Sequence, residues 1–119
     1  MTLTELQPEP VELLGAACSR ATSLIGPDLA ALVSARITAT LSGVPSTLDG
    51  DGLDDRDRDC LALVDQMLID VASVSDATVA SAARHFDSGG LSDFVTATYV
   101  TEARIRLGIA ADLLLGGMA

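Results

Sequence analysis

The chain of 119 residues carries 17 Asp and Glu against 7 basic residues, a formal charge of −10, with hydrophobic residues at 49% and charged residues at 20%. That length and composition predict one globular domain around one core and exclude a disordered chain. An exterior this acidic repels phosphate backbones, so nucleic acid is not an expected partner.

Every basic residue is an arginine, which removes Schiff-base chemistry, covalently held pyridoxal phosphate and a Walker-type phosphate loop. Cys18, Cys60 and the single histidine, His85, have no zinc-ligand spacing, and the two thiols read as reduced residues filling helix faces. No basic and apolar leader pattern is present, and no apolar run approaches the roughly 18–20 residues that span a bilayer. The expectation is a cytoplasmic protein with no membrane contact.

Taken in chain order, residues 1–10 contain Pro8 and Pro10 and read as an extended N-terminal arm, leaving 11–119 as one helical domain. Val11, Leu14, Cys18, Ala21 and Ile25 recur at helical spacing. Gly26 and Pro27 end that helix, and Asp28 is the expected N-cap of the next. The second helix, about 29–42, carries Leu29, Leu32, Val33, Ile37, Thr40 and Leu41 on one face and stops at Gly43. The stretch GVPSTLDGDGLD over 43–54 reads as a loop.

A third helix is predicted over about 55–74, with Leu61, Val64, Met67, Leu68 and Val71 as its buried stripe. Asp54, Asp55, Asp57 and Asp59 sit in its first turns, where they complement the helix dipole. Ser75 opens a short helix to about Phe86, and the run Asp87 to Gly90 breaks it. Ser92 or Asp93 opens a last helix to about Leu115. The fold class is all-α, a bundle of about five helices with low aromatic content and abundant alanine.

Two charges fall on stripes that should be apolar. The face Leu91, Val95, Thr98, Glu102, Ile105, Ile109 and Leu113 has a carboxylate at its midpoint, and Arg36 borders the stripe of the second helix. An unpaired buried charge costs several kcal/mol, so Glu102 is expected to pair with Arg36 or with Arg106 at i, i+4. Glu102, Tyr99 and Arg36, with Arg106, are the candidate catalytic residues if their helices pack so that they line one polar pocket, the packing that the family resemblance below implies.

The segments DLAALVSARITATLSGVPST, LDDRDRDCLALVDQMLIDVASVSDATVASAARHF and LSDFVTATYVTEARIRLGIAADLL, spanning about 28–115, resemble the AhpD-like, or carboxymuconolactone decarboxylase-like, superfamily of actinobacterial type. Arg36, Gly43, the acidic stretch and Arg106-Leu107 carry the resemblance. It implies a helical bundle that assembles into oligomers. The family's peroxidase branch needs Gly-Cys-x-x-Cys with a histidine four residues on. Here Gly43 is followed by Val44 and Thr47 at the cysteine positions and Asp51 at the histidine position, so that redox chemistry has no residues to run on.

Other constellations read structurally. His85 stands near a helix C-terminus, where a Ser-His-Asp triad would lack a placed serine. The acidic run from Asp49 fails a calcium loop, with Leu53 at position 5, Asp54 at position 6 and Cys60 at position 12. The sequence names no cofactor and no metal.

Apolar stripes that include Ile109, Leu113, Leu114 and Leu115 exceed what a monomer of this size hides, predicting a homo-oligomer. The functional expectation is a non-redox, AhpD-like oligomeric binding or scaffold subunit, holding a small apolar molecule or a pathway enzyme. The alternative is a cofactor-independent decarboxylase- or isomerase-like enzyme with Glu102 as acid and base, and behind it a peroxide-linked reductase through Cys60 or Cys18.

Overall fold

A computed structural model describes residues 1–43 and 52–118. Among them the chain is all-helical, with α1 Leu3–Leu6, α2 Pro8–Ile25, α3 Pro27–Ser42, α4 Asp55–Ile69, a 3₁₀ turn Val71–Ser73, α5 Asp76–Ala83 and α6 Gly90–Leu114. Val44, Thr47, Asp49 and Asp51, which carry the comparison with the redox motif and part of the calcium argument, lie outside the described residues.

The expected extended arm is helical instead. Thr2 and Glu5 form a reciprocal capping box that starts α1. Pro8 and Pro10 occupy the first turn of α2, where the backbone N–H groups have no intrahelical acceptor and a fixed φ suits the helix. The free N–H groups of α1 find carbonyls in the tail beyond α6: Leu3 N donates to Gly117 O at 3.0 Å and Thr4 N to Met118 O at 2.7 Å. The Thr4 hydroxyl also donates to Met118 O.

Gly26, at φ 87°, joins α2 to α3 and is itself the N-cap, with Pro27 at the first helical position and Asp28 inside the first turn. Leu29, Val33 and Ile37 repeat every fourth residue and are buried. The Asp54 carboxylate accepts from Asp57 N at 2.8 Å to start α4. Helix α4 stops at Ile69, short of the predicted 74. Asp70 draws the chain away, accepting from Ala72 N at 3.0 Å and from the Ser73 hydroxyl at 2.8 Å. Gln66 Oε1 then accepts Ser75 N at 3.0 Å, and Ser75 caps α5 through Thr78 N at 3.2 Å.

Helix α6 begins at Gly90, earlier than Ser92. A Cβ on Gly90 would lie 2.8 Å from the Phe86 Cβ, so this tight approach requires glycine. The approach sets Phe86 against Phe94 with ring centroids 5.5 Å apart. Around Phe94 the core gathers Leu29, Val33 and Ile37 from α3, Cys60, Leu63 and Val64 from α4, and Ala82 from α5.

The buried face of α6 differs from the predicted stripe. Phe94, Ala97, Thr98 and Ala111 are its buried residues, while Leu113 is 80% exposed. The helix packs against α2 as well as against α3 and α5, and alanine on the α2 side is invisible to a search for large apolar residues. No described helix is long and apolar enough to cross a membrane.

Phe94 has no exposed surface. Phe94→Ala is expected to lower unfolding free energy by about 3–5 kcal/mol, read as a shift of the urea midpoint at unchanged slope.

Candidate functional site

The three candidate residues from the sequence have three different settings. Glu102 accepts from Arg106 Nε at 2.9 Å along α6, with side-chain exposures of 16% for the acid and 54% for the arginine. Its partner is therefore the local arginine, not Arg36. Arg36 Nη1 donates to Asp65 Oδ2 at 3.1 Å, tying α3 to α4. Tyr99 is exposed and borders an apolar hollow of about 170 Å³ together with Leu63, Met67, Val71, Val74 and Leu91.

A larger cleft, of about 340 Å³, opens between α2, α3 and α6. Its polar lining is Cys18 and Thr22 from α2, Ser34 from α3, and Thr101 and Arg104 from α6. Met118, held by the tail's bonds to α1, also lines it. Sequence reasoning missed this site because its residues are small or polar. The readable signal was spacing: Cys18 and Thr22 are four apart on α2, and Thr101, Arg104 and Gly108 share one face of α6.

Cys18 is half-buried there. Desolvation raises its pKa, partly opposed by the Arg104 guanidinium, which is within hydrogen-bonding reach of the sulfur. The Sγ–H group also points to Val100 O at 3.9 Å. The thiol is thus neutral at physiological pH and a poor nucleophile. Cys60 is fully buried in the core, and burial pushes its thiol up to about 11. The reductase reading required an exposed Cys60 beside a base, and burial removes it.

A second polar cluster joins α4 to the end of α5. His85 Nε2 lies 2.7 Å from Asp59 Oδ2, and Arg84 Nη2 donates to the same oxygen at 2.8 Å. The hydrogen bonds from His85 and then Arg84 hold the Asp59 carboxyl below the usual carboxylate range. The pair has the His–Asp half of a triad, but its third member is a cation. The neighbouring acids are equally engaged, since Arg58 bridges Asp55 at 2.7 Å and Arg56 bridges Asp57 at 3.1 Å. Among the described residues no group of three His, Cys, Asp or Glu side chains is placed to hold a metal ion.

Comparison with protein-family models, curated proteins and solved structures finds no match to this chain.

Two outcomes are expected from these environments. With a thiol-reactive chromophore on the native protein, Cys60 stays unlabelled while Cys18 reacts slowly, and both react alike in urea; rapid native labelling of Cys60 would contradict its burial. Because the Asp59 pKa is lowered on folding, its contribution to stability is full above the unfolded carboxylate range and is lost as pH falls through the folded value. Asp59→Asn is therefore expected to flatten the acid limb of a stability–pH curve, measured by urea unfolding from neutral pH downward.

Proposed function

We propose that the chain is a non-redox, AhpD-like helical protein acting in the cytoplasm as an oligomeric binding or scaffold subunit. The observation that carries this reading is the apolar end of α6. Leu113 and Leu114 are each 80% exposed and Leu107 is 37% exposed, on a chain of net charge −10. Leu113 also lines a shallow hollow of about 230 Å³ with Leu41, Ile109 and Ala110.

Arg106, the charged residue lining that hollow, is already matched by Glu102. A second copy of the chain therefore meets leucine and a compensated charge there. The same pair weighs against the acid–base enzyme reading. Glu102 lines none of the three hollows described here.

Sedimentation velocity at micromolar concentration is expected to give a multiple of the 12.2 kDa chain mass. The double variant Leu113→Glu, Leu114→Glu is expected to shift that mass to the monomer with an unchanged helical signal, because both side chains face solvent in the single chain. A monomer for the unaltered protein would overturn the assembly.

A further inference from the structure

The cleft between α2, α3 and α6 is bordered by a cation that no described carboxylate matches. Five arginines are matched to carboxylates: Arg36 to Asp65, Arg56 to Asp57, Arg58 to Asp55, Arg84 to Asp59 and Arg106 to Glu102. Among the described residues Arg104 and Arg20 have no such partner. Arg20 is not among the residues lining the cleft, whereas Arg104 borders it. The polar neighbour of Arg104 is the Cys18 sulfur, which burial keeps protonated and therefore neutral. In a chain of net charge −10, a cation without a carboxylate partner at the edge of this cleft gives an anion a local positive charge to meet.

The rest of the lining narrows the anion. The Thr22 hydroxyl already donates to Cys18 O at 3.1 Å, which leaves the Ser34 and Thr101 hydroxyls as further donors. Ile105, Ala30 and the Met118 side chain supply an apolar wall, and Gly108 leaves the space beside them open. One planar guanidinium fork matches a carboxylate in charge and shape. A phosphate dianion would ask for more positive charge than the cleft offers. The volume equals that of about ten waters at roughly 30 Å³ each, enough for a molecule with about as many non-hydrogen atoms.

We infer that this cleft is a binding site for a small amphipathic monocarboxylate of the size of octanoate. Arg104 takes the carboxylate, with Thr101 and Ser34 donating beside it. The tail lies against Ile105 and Met118, over Gly108. This names the ligand class for the binding role proposed above and rests on that role, though not on the oligomer.

The test is titration of the full chain with octanoate, followed by backbone amide NMR shifts, with octanol and octyl phosphate as parallel probes. Saturable shifts centred on the cleft segments of α2 and α6 at millimolar octanoate are expected. Octanol should bind about tenfold or more weakly, since it loses the charge-assisted bonds. Arg104→Gln should weaken octanoate by a similar factor while leaving the helical signal unchanged.

Gly108→Leu supplies a second variant. A Cβ there meets only Met118 Cγ at 3.8 Å, and leucine is the better helix former. This variant should lose octanoate binding with thermal stability retained or raised. No shifts in the cleft, unchanged affinity in Arg104→Gln, or tighter binding of octyl phosphate would each overturn the assignment. An oligomer that forms normally but ignores octanoate would refute this ligand and leave the assembly standing.

Discussion

Phe94 anchors α6 in the layer formed by α3, α4 and α5, and the chemistry of α6 follows from that anchor. With Phe94 fully buried, helical periodicity sends Thr98 into the same interior one turn on. Its hydroxyl donates to Phe94 O at 2.9 Å, so no buried polar group is left unsatisfied there. The adjoining stripe of α6, with Thr101, Arg104 and Gly108, borders the cleft that α2 and α3 complete. Small side chains on that stripe let two long helices approach. Beside Thr101 and Gly108 the helices leave the cleft open.

Charge is handled locally in the same way. A chain with this excess of acid could destabilise itself by self-repulsion, yet its carboxylates near α4 act as caps and short-range partners. Asp54 caps the helix, Asp55 and Asp57 bridge arginines on their own helix, and Asp59 bridges to Arg84 and His85 at the end of α5. Glu102 follows the same logic with Arg106. A carboxylate near the middle of a long helix is tolerated because the guanidinium one turn later keeps it hydrogen-bonded, with Arg106 reaching solvent. Such exposed pairs are individually worth little. Their effect is on position, holding charge away from the core.

The all-helical class was legible because glycine and cap residues mark most of the breaks: Gly26, Gly43, Asp54 and Ser75 each stand at the boundary where the sequence places one. The N-terminal segment was misread because proline argues against helix in the interior but is compatible with a first turn, and position within the helix cannot be known before its start is. The end of α4 was misread because apolar spacing continues through Val71 and Val74, while the Asp70 side chain ends the helix by bonding the backbone ahead of it. The leucines at the end of α6 were legible as surplus apolar surface. Of the site residues, Glu102 was legible as an anomaly and its partner Arg106 as one of two choices. Arg104 was not legible as a site residue, since it is an exposed arginine in the structure as in the sequence reading, and only the neighbouring helices show that it borders a cleft.

The two cysteines show how one physical cause yields different consequences in different surroundings. Desolvation raises the pKa of both thiols, and in both it removes the thiolate on which redox chemistry depends. In the core, Cys60 then behaves as a small apolar residue among Val64, Leu63 and Phe94. At the cleft, Cys18 stays neutral beside a guanidinium. A thiolate there would have compensated Arg104 and closed the site electrostatically. A neutral Cys18 leaves the charge of Arg104 available to the ligand proposed for the cleft, and burial, which raises the thiol's pKa further, keeps it so as pH rises.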